Sequence, residues 1–169
     1  MWNNTNLPLA FLITFRCYGT WLHGDERGSV DRFHNQYQAP TIPPNERWRR
    51  HNAQALKCEP VSLNAAQRES VETVVRETCT LRNWVMHAIN VRTNHVHVVV
   101  AIGKARPEHA LNAFKANATR QLRQDGHWRS QQTPWADKGS KRYLWNERSI
   151  ERAIDYVING QGDNLPEFD

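Results

Sequence analysis

The sequence predicts an α+β fold: a four-stranded antiparallel sheet with helices packed on it and one further helix added at the C-terminal end. Three observations predict it. Short runs of branched and aromatic residues alternate with stretches whose apolar residues recur at helical spacing. Two of the strand-like runs follow each other closely enough to form a hairpin. The length of 169 residues fits a single compact domain with its own core.

Taken in order, residues 9–15 (Leu9-Ala10-Phe11-Leu12-Ile13-Thr14-Phe15) are short, apolar and aromatic, as a strand in the middle of a sheet should be. The apolar run of residues 7–15 has no basic leader and no small-residue cleavage site, and it is too short to cross a bilayer, so no membrane partner is expected. From about residue 24 to residue 61 the chain turns polar and aperiodic, with Pro40, Pro43, Pro44 and the basic cluster Arg47-Trp48-Arg49-Arg50. A stretch of this kind is usually functional or partly disordered, and it reads as a basic insertion within one domain spanning residues 1–169.

Asn64 followed by Gln67 forms a capping-box pattern, after which Val71, Val74, Val75, Thr78 and Cys79 recur at helical spacing. Residues 84–90 and 95–102 read as the hairpin strands, joined by residues 91–94. Pro107 suits the first turn of a second helix, along which Ala110, Leu111, Phe114, Ala118 and Leu122 form an apolar stripe, with Lys115, Arg120 and Arg123 largely outside it. Residues 142–145 read as a fourth strand, and residues 149–159 as a last helix closed by Gly160. This order is the ferredoxin-like split pattern with one helix added. Many functions share that scaffold, so function has to be read from the site.

The 22 Lys and Arg against 17 Asp and Glu give a net charge of +5, which suits a polyanionic partner without requiring one. Cys17, Cys58 and Cys79 are odd in number and far apart, so they make neither a metal-type pair nor a disulfide framework, and a reducing cytoplasm is the expected location.

In Asn94-His95-Val96-His97 the two histidines lie two residues apart on a strand, so both imidazoles project from one face while Val96 and Val98 point to the other. Such a pair can grip one metal. With a further side chain and phosphate oxygens it can complete the shell of Mg2+ or Mn2+. With eight histidines in the chain, chance spacing is the competing explanation. His87 on the preceding strand is a further nitrogen for such a shell, although a residue there is more often a packing group.

On the last helix Ile150, Ala153, Ile154, Val157 and Ile158 gather on one side, and Tyr156 falls well outside their centre. A phenol there can stand over the histidines and still meet a DNA strand, with Arg152 one turn earlier to pair with phosphate. Free tyrosine is a poor nucleophile at neutral pH, so an interface tyrosine would be the default without the histidines. A metal acting on the phosphate changes this, because tyrosine can then form a covalent intermediate that splits strand transfer into two steps. The exchange conserves phosphodiester bonds, and the chain has no Walker-type glycine loop, so no nucleotide cofactor is expected.

Asn94-His95-Val96-His97, the later Tyr156 and the helix between them resemble the HUH single-tyrosine transposase family, including the transposases associated with repetitive extragenic palindromes and related insertion-sequence transposases. Residues 15–22 with residues 24–28, and residues 138–145, carry the same likeness. The resemblance implies a ferredoxin-like catalytic domain, a homodimer, a divalent cation (Mg2+ or Mn2+), and cleavage of single-stranded DNA beside a hairpin with the 5′ phosphate left on tyrosine. By position, His95 and His97 would be metal ligands and Tyr156 the nucleophile. The family often places Asn or Gln about one turn after the tyrosine as another ligand. Here that place is Gly160, flanked by Asn159 and Gln161, and of these Gln161 is slightly favoured because a chain leaving the helix is free to turn towards the metal.

For DNA contact the sequence offers cations and aromatic faces in its loops and on its helices: Arg47, Trp48, Arg49, Arg50, Lys115, Arg120, Arg123, Trp128, Arg129, Trp135, Lys138, Lys141, Arg142 and Arg152. Of the seven tryptophans, Trp21, Trp84 and Trp145 read as core. The competing functions are a replication initiator or relaxase of the same superfamily, a domesticated protein that binds hairpin DNA without cutting it, and a zinc-dependent hydrolase that uses water in place of Tyr156.

Overall fold

A computed structural model describes residues 6–20, 59–162 and residue 165. The cluster Arg47, Trp48, Arg49, Arg50, together with Trp21, Cys58 and nearly all of the expected insertion, lies outside the described residues. Four strands, β1 (Ala10–Arg16), β2 (Val85–Val91), β3 (His95–Ala101) and β4 (Ser140–Leu144), form one antiparallel sheet in the order β2-β3-β1-β4. Three helices accompany it: α1 (Ala65–Leu81), α2 (Pro107–Gln124) and α3 (Glu147–Asn159).

The alternation along β1 divides the molecule into two layers. Phe11, Ile13, Phe15 and Cys17 join Val96, Val98 and Val100 in the larger core, which α1 and α2 cover with Val71, Val74, Val75, Leu111, Phe114 and Leu122. The opposite face places Ala10 and Leu12 with Ala88, Val99 and Leu144 under Ala153 and Val157 of α3. Every strand pairing keeps facing residues on one side of the pleat. His95, His97 and Val99 therefore share the α3 face.

Local chemistry explains where the elements begin. The Asn64 side chain accepts from the Gln67 backbone while Gln67 accepts from the Asn64 backbone, each at 2.9 Å, so the predicted capping box is present. Helix α3 starts at Glu147, before the expected residue 149, because Asn146 caps it by accepting from the Ser149 N–H at 2.9 Å. Strand β4 also starts early, at Ser140, since pairing with Thr14 of β1 carries its polar residues into the ladder.

The tryptophans depart from their readings in two places. Trp84 packs on the larger core with its ring edge-on to Phe114, but Trp145 is 44% exposed, edge-on to Tyr143. Trp135, read above with the DNA-facing loops, is fully buried: its indole N–H reaches the Thr119 hydroxyl and the Lys115 carbonyl, and its ring meets Phe15. Among the described residues no helix is long and apolar enough to cross a membrane.

Candidate active site

The site grows from one row of residues across the sheet. Ser140 of β4 faces Thr14 of β1, Thr14 faces His97 of β3, and His97 faces Asn90 of β2. Arg16 faces His95 in the adjoining position. Both imidazoles are buried, at 7% and 3% exposure for His95 and His97, so their polar atoms need partners.

Three of the four ring nitrogens have identified partners. The His97 Nδ1 lies 2.7 Å from the Thr14 hydroxyl, and the His95 Nδ1 lies 2.6 Å from the Asn94 Oδ1. The His95 Nε2 is 3.0 Å from the Gln161 Oε1. The Gln161 amide is oriented by its other end, where Nε2 donates to the Tyr156 carbonyl at 3.1 Å. If the Nδ1–H of His95 donates to Asn94, a ring lone pair and an amide oxygen face each other, and a cation or a second ring proton reconciles them. The His97 Nε2 is buried with no hydrogen-bond partner among the described residues.

Burial pushes the His97 imidazole down to about 3, the neighbouring His95 adds to the effect, Gln161 opposes it and Arg142 lowers it further. Gln161 is near enough to act on His97, yet its oxygen is directed at His95. His97 is therefore neutral near pH 7, with a lone pair to give.

This donor set suits a divalent cation. An orphaned imidazole nitrogen, a second imidazole nitrogen and an amide oxygen are a mixed nitrogen and oxygen set whose remaining positions phosphate oxygens and water can fill. The 3.0 Å between the His95 Nε2 and the Gln161 Oε1 matches two adjacent ligands of an octahedral ion at about 2.1 Å. Among the described residues no group of three or more His, Cys, Asp or Glu side chains could hold a metal. His87 accordingly stands apart: it is exposed, at the bulge between Met86 and Ala88. Asn159 also turns away, its amide donating to Asp155 at 2.8 Å.

Tyr156 reaches the same place from above. Its ring centroid is 5.4 Å from that of His97, with the planes at 65°, and the residue is 41% exposed, so a strand can approach it from solvent. Gly160 closes α3 directly beside it.

The basic residues separate into two kinds. Arg142 pairs with Leu12 on the α3 face, and its charge bears on His97. Arg152, Arg120, Arg129 and Lys138 are exposed. Lys115 is occupied inside the fold, donating to the Ala136 and Lys138 carbonyls at 2.8 and 2.9 Å. Arg123 likewise donates to the Ser130 and Gln131 carbonyls. Lys141 stands 3.8 Å from Glu108. Trp128 is half-buried: it packs partly on the larger core and donates its indole N–H to the Gln132 carbonyl.

Sequence reasoning missed Thr14, Arg16 and Asn90. Thr14 carried a signal, being the one hydroxyl in an otherwise apolar run, residues 9–15.

A family model described as IS200-like transposase matches residues 50–154. Among solved structures, one similar chain is a REP-associated tyrosine transposase bound to a REP hairpin, with a TM-score of 0.50 at 10% identity, covering 93% of this chain and 69% of that one. Another is a Deinococcus radiodurans protein provisionally described as a transposase, with a TM-score of 0.49 at 11% identity, covering 95% of this chain and 97% of that one. No curated protein matches the sequence significantly.

Proposed function

The chain belongs to the IS200-like transposase family, and from that premise we propose that it is a divalent-metal-dependent nuclease and strand transferase acting on single-stranded DNA beside hairpins. The observation that carries this reading is the meeting, on one sheet face, of a buried imidazole nitrogen without a partner and an accessible phenol one ring contact away.

In this reading His95, His97 and Gln161 would hold the ion. Mg2+ or Mn2+, when bound, supplies Lewis-acid polarisation of the scissile phosphate. Tyr156 supplies the attacking oxygen. Its phenol oxygen bonds to phosphorus as the bond to the 3′ oxygen breaks; the phenol loses its proton, the leaving oxygen gains one, and a 5′-phosphotyrosine and a free 3′ hydroxyl result. The 3′ hydroxyl of a second strand then attacks the phosphotyrosine, which restores the phenol and joins the strands. In the same reading Arg142 and Arg152 offset phosphate charge. The REP hairpin carried by the structural neighbour supports a hairpin-bearing substrate here. A homodimer, acting in the cytoplasm, is part of the same proposal.

The test is incubation with a hairpin-bearing single-stranded oligonucleotide and Mn2+ or Mg2+, followed by denaturing electrophoresis. A denaturation-resistant protein–DNA adduct is expected for the wild type and not for Tyr156→Phe. Equal cleavage by the Phe variant would assign the chemistry to water, and hairpin binding without cleavage in either metal would leave a DNA-binding protein.

A further inference from the structure

The last turn of α3 carries Tyr156, and the apolar grip on this helix is slight: Ala153 and Val157 are its buried residues. Ile150 and Ile154 pack only partly against the sheet. A helix held by so small a contact needs a directional bond to fix its rotation and axial position. The Tyr156 carbonyl is taken by Gly160 and Gln161, whereas the carbonyls after it have no onward residue of the helix to accept from and must find partners elsewhere. The Val157 carbonyl accepts from the Asn90 Nδ2 at 2.9 Å, a contact from β2 to the residue immediately after Tyr156. Asn90 is also the register partner of His97, so its Cβ stands about 5 Å from that of the histidine on the same face. Asparagine is disfavoured in strands, which gives its presence at this position a reason to be sought in the contact it makes.

We propose that Asn90 is a positioning residue: its amide fixes the last turn of α3, and with it the separation and tilt of the Tyr156 phenol over His97. The inference rests on the tyrosine chemistry proposed above. The bond demands a donor, because the Val157 carbonyl can only accept. Asp at the same place has the same shape but sets two acceptors against each other, whereas Ala removes the donor without adding an acceptor.

The test compares single-turnover adduct formation by the wild type, Asn90→Asp and Asn90→Ala on a hairpin oligonucleotide with saturating Mn2+. Mn2+ affinity is followed by electron paramagnetic resonance, and hairpin affinity is measured without metal. The expected result is a rate of adduct formation lowered roughly 10–100-fold in both variants, with hairpin affinity little changed, Mn2+ affinity lowered because Gln161 is tied to the same turn, and the rate not restored when Mn2+ is raised to saturation. Preserved hairpin binding and a wild-type circular dichroism spectrum show that the variants fold. If Asn90→Asp alone loses its fold, Asn90→Ala decides. A wild-type rate in a folded variant overturns the inference while leaving the tyrosine mechanism intact, and so does full recovery with excess Mn2+. A wild type that forms no adduct removes the proposed function and this inference with it.

Discussion

Thr14 and Asn94 hold the two histidines in the same way: each engages an Nδ1. These contacts restrict rotation of the rings, and in the proposed metal site Nε2 of each would be the nitrogen that faces the ion. The consequence for His97 is measurable without catalysis. Its pKa lies at about 3 in the folded protein against an ordinary 6.5, so the unfolded chain takes the proton first. In the metal-free protein the contribution of this group is full above pH 6.5 and is lost as the pH falls towards 3, at about 1.4 kcal/mol per pH unit for one proton. Urea unfolding of the wild type and His97→Gln, between about pH 7 and about pH 4, should show the steeper decline in the wild type. Parallel declines would mean that His97 is not the buried neutral group described here. The pair itself was legible in the sequence, because a spacing of two on an apolar strand leaves one face in common. Asn90 was not, since its partner is a backbone carbonyl 67 residues away and no side-chain pattern announces it.

At the scale of elements, the end of α3 decides where the Tyr156 phenol stands, and Gly160 decides how α3 ends. Its N–H donates to the Tyr156 carbonyl at 3.0 Å. A Cβ added there would lie 2.7 Å from the same carbonyl oxygen and 3.1 Å from the Tyr156 Cδ2. Because the nearer atom is backbone, relief requires the helix end to move, which also carries Gln161 away from His95. Gly160→Ala is therefore expected to destabilise the protein by about 1–3 kcal/mol and to weaken Mn2+ binding, read by thermal melting and by Mn2+ titration. An unchanged melt with unchanged Mn2+ affinity would show that this turn relaxes freely. The same turn shows what sequence can and cannot deliver. Gly160 as a helix stop and the Asn64–Gln67 capping box depend on local chemistry and were readable. The early start of β4 depends on pairing with Thr14, a partner remote in sequence, and the cap at Asn146 was hidden behind a tryptophan taken for core.

Across the whole molecule, the net charge of +5 has to be divided between cations that meet DNA and cations that hold the fold. A groove of about 570 Å3 beside α2 is lined by Lys115, Arg120, Arg123 and Thr133, among others. It belongs to the sheet face opposite α3, so a strand bound there does not compete for the space over the histidines. Residue type alone made these three cations equivalent, and the carbonyls they meet separate them. Arg120 is exposed, whereas Lys115 is bonded to the 136–138 segment and Arg123 to the 130–131 segment. Hairpin affinity measured against salt concentration distinguishes the two roles, because each lost phosphate contact lowers the logarithmic slope by about 0.7–0.9. Arg120→Ala should lower the slope by that amount with little change in melting temperature. Lys115→Ala should leave the slope alone and cost about 1 kcal/mol of stability, since the Ala136 and Lys138 carbonyls, one half-buried and one exposed, lose their donor. Should Lys115→Ala instead lower the slope at unchanged stability, its ammonium must exchange these carbonyls for phosphate when DNA binds, and the loop it ties down would then be part of the DNA-binding surface.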